Sequence, residues 1–88
     1  MKVIEMKVID PAGLHARPAS LLVREASKFK ASVDLEAGDK KATLKSILGV
    51  MSLGVKSNTD IKIYIEGEDE TAAEETISKF LIDNNLAV

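Results

Sequence analysis

Apolar and polar residues alternate with a period of two in four stretches of the chain, and that alternation predicts strands with one buried face. Ile4, Met6 and Val8 alternate with Glu5 and Lys7, and Ala31, Val33, Leu35 and Ala37 alternate with Ser32, Asp34 and Glu36. The short stretch Lys41 to Leu44 puts Ala42 and Leu44 on one side, and Ile61, Ile63 and Ile65 alternate with Lys62, Tyr64 and Glu66. Gly38-Asp39, between the second and third of these, is the chemistry of a tight hairpin. A helical period governs three other stretches. From Ala16 to Lys28, Ala19, Leu22, Val23 and Ala26 form one stripe, and Pro18 falls in the first turn, where its missing N–H is harmless. A short helix over Ile47 to Leu53 follows Ser46, a natural N-cap, and stops at Gly54. The third begins near Asp69-Glu70, two acids suited to the positive end of a helix dipole, and runs to about Asn84 with Ala73, Ile77, Phe80 and Leu81 inward.

The resulting order, β-α-β-β-α-β-α, predicts an α+β fold. A four-stranded antiparallel sheet carries the three helices on one face, as a two-layer open-faced sandwich. The 88 residues suffice for a single domain spanning 1–88 and leave no room for a second.

Composition narrows the function. Twelve Lys and Arg against fourteen Asp and Glu give a formal charge of −2, and Tyr64, Phe29 and Phe80 are the only aromatics. Nucleic acid is therefore not an expected partner: there is neither a basic excess nor a stacking platform. The N-terminal stretch is interrupted by charges, so no signal peptide and no membrane insertion are expected. The absence of Cys removes disulfides and thiolate metal sites and fits a reducing cytoplasm, the expected location. No Walker A loop, no second His for a zinc site and no nucleophile elbow is present, so neither metal nor cofactor is expected.

His15 is the one histidine. By itself a lone His is usually an ordinary surface or core residue. Here it occupies the N-cap of the first helix, a place normally taken by Ser, Thr, Asp or Asn, and such a broken rule often marks function. The first N–H groups of a helix lack intrahelical partners and, with the dipole, favour an anion. Pro18 has no N–H, so the free donors are those of Ala16 and Arg17, and the Arg17 guanidinium suits phosphate oxygens. Gly13 leaves the approach to the imidazole free of a side chain, and Ser20 lies close enough in sequence to reach the same end of the helix. A chain that can hold a phosphoryl group on an imidazole, but has no means to bind and cleave a nucleotide, reads as a carrier between proteins and not as an enzyme.

Two segments then carry a resemblance that covers essentially the whole chain. Gly13-Leu14-His15-Ala16-Arg17-Pro18-Ala19 is similar to the active-site segment of the HPr family, the histidine-containing phosphocarriers of the bacterial phosphoenolpyruvate-dependent sugar phosphotransferase system. Leu44-Lys45-Ser46-Ile47-Leu48-Gly49-Val50-Met51-Ser52-Leu53 is similar to that family's regulatory-serine segment. The resemblance implies that His15 takes phosphate from phosphorylated enzyme I, on Nδ1, and passes it to a His of sugar-specific enzyme IIA domains, with Arg17 as the active-site Arg. It implies that Ser46 is the serine modified by HPr kinase/phosphorylase in Bacillus-like bacteria, where that form works with the regulator CcpA in carbon catabolite repression. It implies a monomer, with Leu14, Ser20, Ile47, Leu48 and Met51 meeting the partners. The chain departs from the pattern at Leu48, where Met is common, and at Ala12, which lacks the polar side chain of many members. Without the resemblance, Ser46 is a plain helix cap and Glu68 to Glu75 is dipole and solvation chemistry.

Overall fold

The computed structural model describes all 88 residues, Met1–Val88. Its elements are β1 (Lys2–Lys7), α1 (Ala16–Ala26), β2 (Ser32–Ala37), β3 (Lys40–Thr43), α2 (Ile47–Ser52), β4 (Asp60–Glu66) and α3 (Glu70–Asp83). The strands form one antiparallel sheet in the order β1-β4-β2-β3. The period-two pattern places Ile4, Val33, Leu35, Ile61, Ile63 and Ile65 on one face, all buried under the helices. The opposite face is open. Glu5 and Lys62 approach to 3.8 Å there, Tyr64 donates its hydroxyl to Glu36 at 2.9 Å, and Lys41 stands over the Tyr64 ring. The Glu36 hydrogen bond holds the Tyr64 phenol above its ordinary pKa. This is the predicted open-faced α+β sandwich. No helix is long and apolar enough to cross a membrane.

The departures from the sequence reading are local and have physical causes. Helix α1 ends at Ala26, not Lys28, because its last turn tightens: Lys28 and Phe29 donate to Glu25 and Ala26, three residues back. Val8 continues the alternation of β1 but lies beyond β4's start; it bridges to Ala87 near the C-terminus instead. Strand β3 ends at Thr43, and Leu44 is buried with its N–H donated to Val33 C=O at 2.7 Å. Phe80 sits at the rim of the core, half-buried.

Asp69 is more than dipole chemistry. As N-cap of α3 it makes no side-chain capping bond. Its carboxylate reaches across the chain and accepts the N–H groups of Lys30 and Ala31 at 2.8 and 2.9 Å. These bonds, that from Lys30 foremost, hold the Asp69 carboxyl below the usual carboxylate range. The same junction brings Gly67, at φ +151°, so close to the chain that a Cβ would lie 2.6 Å from Ala31 Cα. Only glycine fits both the conformation and the gap. We expect Gly67→Ala to destabilise the fold by about 3 kcal/mol and to lower Tm by at least about 10 °C. Thermal denaturation followed by circular dichroism checks this; an unchanged Tm would show that the junction relaxes freely.

Candidate functional site

His15 stands at the N-cap of α1 with extended backbone (φ −80°, ψ −178°), and its side chain makes no capping bond. The helical ladder begins with the Ala19 N–H donating to His15 C=O at 3.0 Å. The N–H groups of Ala16 and Arg17 precede that ladder and have no intrahelical partner, as their positions predict. Pro18 follows them, buried and without a donor. The imidazole is 46% exposed. Arg17 is exposed and enters no ion pair, so its guanidinium is uncommitted to any carboxylate.

The imidazole opens into a shallow depression of about 230 Å³, which it shares with Asp10, Arg17, Phe80, Asn84 and Leu86. Two stretches of chain far apart in sequence build it, residues 10–21 and 80–86. Helix α3 ends with Asn84 donating its side-chain amide to Phe80 C=O at 2.9 Å, and Asn85 follows at φ +54°. The turn closes with the Leu86 N–H on Leu81 C=O. The residues after it run back along the end of β1: Ile9 donates to Leu86 C=O at 2.8 Å, and Lys7 and Val88 exchange both their backbone bonds. Asp10 is thereby placed beside His15, its Oδ1 4.0 Å from Nε2. That Oδ1 accepts the Ala12 N–H at 2.8 Å, and the Gly13 N–H closes the turn on Asp10 C=O at 2.8 Å. The sequence reading missed Asp10 and Asn84. An Asp-Pro-x-Gly turn ending just before the histidine was a local signal for Asp10; nothing local pointed to Asn84.

Two of the predicted roles need correction. Leu14 is not available for docking: it is 4% exposed, within the core, and its N–H is donated to Val55 C=O at 3.0 Å. Gly13 does not clear an approach to the imidazole. It is buried at φ +68°, and a Cβ there would lie 2.3 Å from the Val55 carbonyl oxygen. Its lack of a side chain lets the segment before His15 lie directly on Val55-Lys56.

The remaining candidates gather on a neighbouring surface. Ser20 and Ile47 border a depression of about 380 Å³ between α1 and α2, along with Leu21 and Arg24. Leu48 is 83% exposed, and Ile47 and Met51 are exposed beside it. Leu21, also exposed, extends the apolar surface from α2 onto α1; the sequence reading had counted neither Leu21 nor Arg24. Ser46 is the N-cap of α2, and its Oγ accepts the Gly49 N–H at 3.1 Å. The largest depression, about 540 Å³, lies around Glu5, Glu36, Asp60 and Lys62 and shares no residue with the histidine site. The chemistry of His15 and Arg17 outweighs that difference in volume.

The family model described as the PTS HPr component phosphorylation site matches residues 3–83. The chain is 46% identical over 87 residues to the phosphocarrier protein HPr of Lysinibacillus sphaericus, with 99% of each chain covered. Its structure is similar to a solved histidine-containing phosphocarrier protein of Mycoplasma, with a TM-score of 0.94 at 40% identity and 97% of each chain covered. It is likewise similar to HPr-C-His of Thermoanaerobacter tengcongensis, with a TM-score of 0.89 at 41% identity, covering 97% of this chain and 94% of that one.

The burial of Leu14 leads to a specific expectation. Leu14→Ala should cost about 2–4 kcal/mol of stability, measured by urea denaturation. A loss below about 0.5 kcal/mol, the range of an exposed site, would contradict the core placement.

Proposed function

The chain belongs to the HPr family of phosphocarriers of the phosphotransferase system, and on that basis we propose that His15 is the residue that carries its phosphoryl group. The observation that carries this reading is the junction at α1. A solvent-accessible imidazole adjoins two unpartnered backbone donors and an arginine with no carboxylate to neutralise it. A ring nitrogen attacks phosphorus with its lone pair. The new N–P bond forms as the donor's bond to phosphorus breaks, and the donor keeps that electron pair. The N–H groups of Ala16 and Arg17 and the Arg17 guanidinium then meet the phosphoryl oxygens. Transfer to an acceptor reverses the step. The group enters and leaves as a covalent load on the carrier itself, so the chain acts as an intermediate in the cascade and needs no cofactor.

Phosphorylated enzyme I is the proposed donor and sugar-specific enzyme IIA domains the proposed acceptors. Ser20, Ile47, Leu48 and Met51 are the proposed contact surface, which lies next to His15 along α1 and α2. Exposed Leu and Met side chains on a short helix suit partners that must be released quickly. We place the whole of 1–88 in one domain that works as a monomer in the cytoplasm. Ser46 is proposed as a regulatory phosphorylation site for an HPr kinase/phosphorylase, with CcpA as the reader of the modified form. The cap itself supports this: a phosphate at a helix N-terminus is electrostatically tolerated, so the fold survives while roughly −1.5 to −2 charges appear beside the contact surface.

The carrier reading is tested by incubating the chain with phosphoenolpyruvate, Mg²⁺ and a bacterial enzyme I, then recording intact mass at neutral pH. One acid-labile phosphoryl group on the wild type, and none on His15→Ala, is the expected result. No addition, with the enzyme I active on another carrier, would overturn it in favour of a regulatory HPr-fold protein charged elsewhere. Ser46→Asp is expected to slow uptake from enzyme I about tenfold by placing an anion at the docking surface, with Tm unchanged. An unaltered rate would remove Ser46 from the regulatory role.

A further inference from the structure

Asp10 is the one acidic side chain in the depression beside His15, and the carrier reading above makes no use of it. Its position is fixed independently of the histidine. Its Oδ1 accepts the Ala12 N–H at 2.8 Å, its carbonyl accepts the Gly13 N–H at 2.8 Å, and its N–H is donated to Leu86 C=O at 3.4 Å. This anchored carboxylate faces the Nε2 edge of the ring, with Oδ1 4.0 Å from Nε2. Neither imidazole nitrogen is engaged in helix capping.

We propose that Asp10 is a positioning residue for His15: its carboxylate keeps the ring proton on Nε2 and so leaves the Nδ1 lone pair as the nucleophile toward phosphorus. The inference rests on the carrier reading and deepens it. An ionised carboxylate can only accept, so it attracts an N–H edge and repels a lone pair. At 4.0 Å the interaction is that of a charge with a bond dipole, beyond hydrogen-bond contact. In the neutral form of the ring this puts the one proton on Nε2. When Nδ1 attacks, the N–P bond forms, the donor's bond to phosphorus breaks with its electron pair going to the donor, and no proton moves. The ring then holds phosphorus on Nδ1 and hydrogen on Nε2 and carries a positive charge that faces Asp10. The return transfer removes that charge. The two charged neighbours of the imidazole thus divide the work, Arg17 for the phosphoryl oxygens and Asp10 for the ring.

The test uses Asp10→Asn, which keeps an oxygen to accept the Ala12 N–H while removing the charge. Asp10→Ser, which also supports this kind of turn, serves as a second charge-free variant if the first loses its fold. The ¹⁵N shifts of Nδ1 and Nε2 are recorded on the unphosphorylated full chain at about pH 8.5, above the pKa of an ordinary imidazole. The expected wild-type signature is a dominant Nε2–H tautomer. In the charge-free variant its ratio to the Nδ1–H tautomer falls about threefold, the scale of a partly exposed charge interaction, with Tm held. Equal ratios in wild type and variant overturn the proposal. Phosphoryl uptake from enzyme I should slow by a similar factor, and an unchanged rate overturns the role in transfer. The tautomer measurement needs no enzyme I. Failure of the wild type to accept phosphate would therefore strike the carrier reading, while equal tautomer ratios strike Asp10 alone.

Discussion

The burial of one face of strand β4 is the constraint on which the rest of the structure depends. Ile61, Ile63 and Ile65 are all within the core, and β4 is paired on both sides, with β1 and with β2. Hydrogen bonding between strands fills the edges of β4 but cannot cover its inner face, so helices must. Covering it brings α1 and α3 together in antiparallel array, the start of α1 against the end of α3. The junction at His15 therefore belongs to the packed frame, although the imidazole itself lies at the surface.

With His15 in its proposed role, that arrangement resolves a conflict in the chemistry of a carrier. The phosphoryl-bearing group must be reachable by large partners yet held by donors that do not move. Backbone N–H groups at the start of a packed helix meet both needs, since the helix is anchored by Leu22 and Ala26 in the core while its first turn faces solvent. Tethers placed at a distance keep the frame in register. The Asp69 carboxylate binds the entry to β2, and the C-terminal residues are stitched to the end of β1. Leu48 is the most exposed of the large apolar side chains, and with Met51 it lies beside α1, not on the open sheet face. The sheet face instead pairs its own charges, Glu5 with Lys62, and seats Lys41 over Tyr64.

The elements, their order and the α+β class were legible because period-two and helical patterns report on burial directly. The candidate site was legible in part for the same local reasons. His15 at an N-cap, the unpartnered donors of Ala16 and Arg17, and Ser46 capping α2 all follow from position along the chain. Leu14 was misread because the residue next to His15, in the loop between β1 and α1, has no periodic context to show which way it points. Its direction is set by the backbone lying against Val55, some forty residues away.

By itself, then, the sequence determined the strands, the helices, the caps and the type of chemistry available at His15, because these depend on interactions among near neighbours. Only the tertiary structure decided which carboxylate faces the imidazole, that Asn84 and Phe80 close its far wall, and that Asp69 ties down the entry to β2. Those contacts join residues separated by up to most of the chain. No local pattern encodes them, and they exist because packing helices over one sheet face leaves few ways for loops and termini to satisfy their backbone hydrogen bonds.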